Sequence, residues 1–322
     1  MKRYDDREER REKTKKKGEI LLANHVIVTD EMLLEQMRKY YAANVTSHLP
    51  AGALFVAKLS GCTITAYRSG KVLFQGKAAE EEAAKWQNQT EKKKTTSPAA
   101  TLATVSAVGS DEVGTGDYFG PIVVAAAYVD KEHIKEAVSM GVKDSKQLTD
   151  ETIIRLAPIL MDRFAYETVI LANETYNEWQ QNGMPQTKIK ALLHNQAIRS
   201  LTEKLLPTEP EAIIIDQFIE KDLYFRYLEN EEHVIRKHVY CYPKAETIHI
   251  AVAAASIIAR YVFLQEMKRL SNEAGIQLPK GAGMQVDQAA ATLIQLRGIT
   301  ALNKYAKVHF ANTNKAMQLS SK

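Results

Sequence analysis

The sequence predicts a large α/β domain with a central sheet, preceded by a small α+β module. Three observations carry this. Residues 121–129 (PIVVAAAYV) are apolar throughout, as in a strand buried on both faces. From residue 101 onward, short apolar runs alternate with stretches of helical spacing, the pattern of a layered α/β domain. Between residues 29 and 87, two helical patterns flank three strand-like runs. The chain has 322 residues, room for about two domains of roughly 150 residues each. With 45% hydrophobic and 25% charged residues it is composed like a folded globular protein.

Residues 1–24 open the chain as a charged tail. The first 18 hold nine Lys/Arg and five Asp/Glu without hydrophobic periodicity, which predicts disorder. Those 18 residues carry the whole net charge of +4, because residues 19–322 contain 34 basic and 34 acidic residues. Global charge therefore makes no case for nucleic acid, and any such case rests on local patches.

The small module spans residues 25–87. Thr29 or Asp30 can cap a helix through about Ala43, with Met32, Leu33, Met37, Tyr40 and Tyr41 at amphipathic spacing. Strands are predicted at Ala53–Lys58, Cys62–Arg68 and Lys71–Gln75, the last two joined by Ser69-Gly70. A second helix covers Ala78–Gln87. One sheet backed by helices leaves its other face free, and Lys58, Tyr67, Arg68, Lys71 and Lys77 mix cationic and aromatic character as a nucleic-acid surface would. Tyr40, Tyr41 and Trp86 are expected in the module's core. Residues 88–100 (NQTEKKKTTSPAA) are polar and aperiodic, a linker with the domain boundary near residue 95.

Residues 101–322 form the large domain. Leu102–Val108 and Ala212–Ile215 read as strands, and Asp150–Met161, Thr187–Leu206, Lys221–Asn230 and Ala251–Leu270 as helices. No apolar run reaches the roughly 20 residues of a membrane helix, so no membrane partner is expected. Cys62 and Cys241 fall in no metal-ligand spacing, which argues against zinc and for reduced thiols in the cytoplasm.

The chemistry concentrates in Asp111-Glu112-Val113-Gly114-Thr115-Gly116-Asp117-Tyr118-Phe119-Gly120-Pro121. Two adjacent carboxylates end a hydrophobic run, and a Gly-x-Gly turn follows. In a regular strand side chains 111 and 112 face opposite ways, so a strand that breaks there is needed to aim both at one site. Asp216 follows an apolar strand at its terminus, where α/β sheets place ligand sites. Glu246, in Lys244-Ala245-Glu246, sits just before the long helix. Four carboxylates without a Cys or His pair and without a Ser-His-Asp spacing point to a hard cation such as Mg²⁺, with oxygen ligands at about 2.0–2.1 Å. Two such ions about 3.5–4 Å apart activate water against a phosphodiester without a nucleophilic side chain.

These motifs, with Lys143–Leu148 (KDSKQL), IIID at 213–216 and AVAAASIIARYVF at 251–263, resemble the type-2 ribonucleases H. GTG after DEV, and a Gly52–Lys77 stretch similar to a TATA-binding-protein-like substrate-binding domain, resemble the ribonuclease HIII branch. The resemblance covers residues 25–312 in order. It implies a ribonuclease-H-like domain with a central mixed sheet, and an endonuclease that hydrolyses the RNA strand of RNA–DNA hybrids with two Mg²⁺ or Mn²⁺ ions. It implies metal ligation by Asp111, Glu112 and Asp216, with Glu246 in the place of a fourth acid that is often Asp. It implies ribose contacts by Gly114, Thr115 and Gly116, phosphate contacts by Lys143, Ser145 and Lys146, and a monomer, while hybrid contacts by Lys58, Tyr67 and Lys77 are expected from their cationic and aromatic character.

Three other readings compete. Ribonuclease HII-like cutting at single ribonucleotides is opposed by Thr115, where that group has Arg, and by residues 25–87. A non-catalytic hybrid-binding protein is opposed by the retained Asp111, Glu112 and Asp216. A DNA nuclease or integrase of the wider superfamily would lack the GTG loop. His194 is expected to be a buried, hydrogen-bonded histidine rather than a catalytic one, and His249, beside Glu246, a candidate for assisting proton transfer.

Overall fold

The computed structural model describes residues 24–29, 31–92, 98–142 and 148–321. The charged tail and the predicted phosphate contacts Lys143, Ser145 and Lys146 lie outside them. The chain divides into two compact units after Ser97.

In the first unit an antiparallel sheet is formed by β1 (Asn24–Val28), β2 (Ala53–Leu59), β3 (Cys62–Tyr67) and β4 (Lys71–Gln75), in the order β1-β4-β3-β2. Strand β1 is absent from the sequence reading; its five residues pair along β4 from Asn24↔Gln75 to Val28↔Lys71. The period of two is obeyed. Ile27, Phe55, Ala57, Ile64, Ala66, Val72 and Phe74 bury against α1 (Glu31–Tyr40) and α2 (Ala79–Lys92) through Leu33, Met37, Ala83 and Trp86. Trp86 Nε1 donates to the Tyr41 hydroxyl at 2.7 Å, which donates in turn to Glu82 at 2.9 Å, so two buried polar tips are satisfied together. Tyr40, expected in this core, is instead exposed, its ring edge-on to Trp86. Helix α2 continues to Lys92, into the stretch read as linker.

The second unit begins with α3 (Pro98–Leu102), so the strand expected from Leu102 starts later, as β5 (Ala107–Val113). There follow β6 (Ile122–Val129), α4 (Ile134–Ser139), α5 (Asp150–Arg163), β7 (Tyr166–Leu171), α6 (Asn173–Gln181), α7 (Gln186–Leu205), β8 (Ala212–Asp216), α8 (Lys221–Tyr227), β9 (Val239–Tyr242), α9 (Ile250–Ala274), α10 (Met284–Arg297), α11 (Leu302–Tyr305) and α12 (Ala311–Ser320). The sheet order is β7-β6-β5-β8-β9; β5 is antiparallel to β6 and parallel to β8, which makes it mixed. Alternate residues of β6 point to its two faces. Val123, Ala125 and Ala127 join the core under α9, while Ile122, Val124 and Ala126 join that under α7.

Helix α9 runs 25 residues and is long and apolar enough to cross a membrane by length and composition, contrary to the sequence expectation. Its alanines are spent otherwise. Residues Ala251–Ala259 are all buried, and the helix comes so close to β5 that a Cβ on Gly109 would lie 2.2 Å from the Val252 nitrogen. Only glycine on the strand facing small residues on the helix permits that approach.

Candidate active site

Strand β5 does not break at the two carboxylates. Asp111 pairs with Ala125 and Glu112 with Val124 in regular antiparallel register, so the expected kink is absent. The two side chains leave opposite faces of the sheet, as a period of two demands. What opens the site lies on the other side of β5: its ladder with β8 ends at Ser110↔Ile215, one residue short of Asp111 and of Asp216. Three acids thus stand where two parallel strands cease to pair.

Asp111 faces α9 and is buried, hydrogen-bonded to Ser256 and accepting from the Glu112 backbone N–H at 2.7 Å. Burial, then the charges of Glu112 and Asp216, push its carboxyl up to about 7 despite those bonds. Asp216 accepts from the Ala245 N–H at 3.0 Å. Lys244 adopts a left-handed conformation (φ +55°) that turns the chain there, and Glu246 follows on a single 3₁₀ turn. Its Oε2 is buried without a hydrogen-bond partner.

Glu112 faces α7 and has both oxygens taken. Lys190 Nζ donates to Oε1 at 2.7 Å and His194 Nε2 lies 3.0 Å from Oε2. The other ring nitrogen of His194 is 2.7 Å from Ser110 Oγ, on the same face of β5. Burial opposes the charge on Glu112, but the hydrogen bond and charge of His194, together with the Lys190 ammonium, hold the carboxyl down at about 2. Phe218, two residues past Asp216, stacks on His194 with centroids 5.1 Å apart, and the Lys190 ammonium lies 4.2 Å from its centroid.

The loop after β5 is pinned from several elements. Gly114 has φ +97°, and a Cβ there would lie 2.2 Å from the Pro121 carbonyl oxygen and against the Phe263 ring; one on Gly116 would meet nothing within 4 Å. Gln186 Nε2 donates to the Thr115 carbonyl at 3.3 Å. Lys307 is fully buried and donates to the carbonyls of Asp117 at 2.9 Å and Gly120 at 2.5 Å.

Asp111 and Asp216 therefore stand at the same end of the sheet, close enough for their charges to interact, with Glu112 next to Asp111 but turned to α7, and Glu246 is tied to Asp216 through Ala245. His194 is buried and hydrogen-bonded as expected, but its partner is the site's own glutamate. His249 is not a proton carrier: it is buried at the N-cap of α9, with Nδ1 accepting from the Ala251 N–H and Nε2 3.0 Å from the Val105 carbonyl, and burial lowers its pKa. In the first unit Lys58, Tyr67 and Lys71 share the sheet face turned from the helices, whereas Arg68 and Lys77 lie in exposed turns. Sequence reasoning missed Lys190, Phe218 and Lys307. Only the four-residue spacing of Lys190 and His194 could have signalled the first.

Among the described residues no three His, Cys, Asp or Glu side chains are already arranged to hold an ion, because Glu112 is turned to α7. The donor set nevertheless suits a hard divalent cation. It is all oxygen, Glu246 Oε2 lacks a partner, and the charges crowding Asp111 are what a cation relieves.

A family model described as Ribonuclease HII matches residues 108–313, and one described as a domain of unknown function, DUF3378, matches 24–99. A Ribonuclease HIII of Geobacillus sp. (strain WCH70) is 67% identical over 94% of this chain and all of its own. One of Geobacillus kaustophilus (strain HTA426) is 56% identical over 93% of this chain and 99% of its own. A solved structure of Bst-RNase HIII in complex with Mn²⁺ is 54% identical, with a TM-score of 0.69 over 92% of this chain and 99% of that one.

Proposed function

The chain belongs to the ribonuclease HIII family, and on that premise we propose that it hydrolyses the RNA strand of RNA–DNA hybrids as a metal-dependent endonuclease. The observation that carries the reading is the placing of Asp111, Glu112 and Asp216 at the strand ends where β5 and β8 stop pairing, with the GTG loop directly after.

Asp111, Glu112, Asp216 and Glu246 are the residues that would hold the ion, which we take to be Mg²⁺ or Mn²⁺, two per active complex. Bound there, the metal supplies activation of water and charge stabilisation at the phosphodiester. The protein's own contribution is placement. The backbone of Gly114–Gly116 offers N–H and C=O groups to the ribose 2′-hydroxyl, which separates RNA from DNA without reading bases. Gln186 and Lys307 fix that loop from behind. Lys58, Tyr67 and Lys71 give the first unit a face suited to phosphates and stacking, with Lys77 in the adjoining turn. We further infer a cytoplasmic monomer whose partner is the hybrid duplex.

The test is cleavage of matched RNA–DNA hybrid, DNA duplex and DNA carrying one ribonucleotide, each with and without chelator. Cutting of the hybrid alone, abolished by chelation, is expected. Preferential cutting at the single ribonucleotide would move the assignment to ribonuclease HII-like activity. Hybrid binding without cutting would leave a binding protein.

A further inference from the structure

Glu112 is assigned above to hold a divalent cation, yet both of its oxygens are engaged by the protein itself. The two partners differ. His194 is fully buried, backed by Ser110 and stacked on Phe218, so it has nowhere to go. Lys190 is a flexible chain whose ammonium has two seats at once, the Glu112 carboxylate and the Phe218 ring. Losing the first leaves the second, which lowers the cost of release.

We propose that Lys190 is the internal counter-cation of Glu112 and competes with the divalent ion for it, so that Lys190 sets the metal affinity of the site. A positive charge 2.7 Å from Glu112 Oε1, with only 12–13% of either side chain exposed, subtracts directly from the negative potential an incoming ion meets. His194, in contrast, is a positioning residue that keeps Oε2 aimed while Oε1 changes partner.

This rests on the reading of Glu112 as a metal ligand, and the experiment separates the two. Mn²⁺ is titrated into the full chain without substrate, by calorimetry or by the electron paramagnetic resonance of free Mn²⁺. Lys190→Met is expected to bind Mn²⁺ about tenfold tighter than wild type, the effect of about one pKa unit's worth of interaction. Lys190→Arg, which keeps the charge, is expected within about twofold of wild type. Lys190→Gln keeps a hydrogen-bond donor without the charge; it is expected to follow Met, and it carries the test should the Met variant not melt cooperatively. Unchanged or weaker binding in a folded neutral variant overturns the proposal, as does a rise shared by the Arg variant. Glu112→Gln guards the premise: if it binds Mn²⁺ like wild type, the metal assignment of Glu112 fails, and the proposal with it.

Discussion

Asp111 is held in the protein at a cost, which the metal-binding role proposed for it explains. Its carboxyl titrates at about 7 in the folded chain against 3.8 when free. Folding therefore takes up a proton between those values, and the metal-free protein loses stability as pH rises from about 4 to about 7. Asp111→Asn removes the charge, and two opposite effects are expected. Hybrid cleavage is nearly abolished, while the melting temperature without divalent ions rises above wild type at pH 8, a difference that shrinks towards pH 4. A variant that cleaves normally, or shows no thermal gain at pH 8, contradicts the assignment. The two loop glycines separate fold from recognition. Gly114→Ala places a methyl against the Pro121 carbonyl at φ +97° and is expected to cost at least about 1–3 kcal/mol of stability. Gly116→Ala meets open space in the protein, so its melting temperature stays put while hybrid affinity drops by about 1–3 kcal/mol, equally across RNA sequences. A shift in sequence preference would mean that the loop reads bases.

The segment from Gly114 to Gly120 owes its shape to Lys307, 187 residues downstream of Gly120. Burial lowers this ammonium from 10.5 to about 7, opposed by the charge of Asp117; the two carbonyl acceptors also favour the charged form. Between about pH 7 and pH 10 the unfolded chain holds a proton that the folded chain has released, so stability rises with pH over that window. Comparing wild type with Lys307→Met by thermal melting isolates the effect, since other groups are shared. The wild-type curve is expected to climb relative to the variant from pH 7 to pH 10, and parallel curves would show Lys307 charged throughout. Elements of this kind mark the limit of a single sequence. Strands β6 and β8 and helix α9 were legible because their apolar patterns are local, whereas β5 was expected five residues too early, and Asp111, Glu112 and Asp216 were legible because they punctuate apolar runs. The faces of Asp111 and Glu112 were not, since they depend on the strand continuing against β6 while β8 stops. Nor were Lys190, Phe218 and Lys307, whose roles arise from contacts across tens to hundreds of residues that leave no local pattern. Strand β1 escaped because five residues beside a charged tail give too short an alternation to count.

Each unit carries its own hydrophobic core, and the carboxylates proposed to hold the metal all belong to the second. A chain reduced to residues 98–322 is therefore expected to fold and cut. Its KM for hybrid should rise about tenfold or more while kcat changes by less than about threefold, because remote contacts mainly supply binding. Equal hybrid affinity in the shortened chain would remove the first unit from substrate binding. Within the second unit, α9 runs alongside β5 and the loop beyond it. Val252 abuts Gly109, Ser256 bonds Asp111, Phe263 lies on Gly114 and Met267 on Gly120. Eleven residues of helix from 252 to 263 advance about 16 Å, and so do five residues of strand from 109 to 114. The helix is thus a ruler with four graduations, calibrated against the strand at both ends. One residue inserted between Ser256 and Phe263 would turn the far graduations by about 100° and slide them by about 1.5 Å. The distance from Asp111 to the Gly114–Gly120 loop would be lost although every side chain proposed to act was still present.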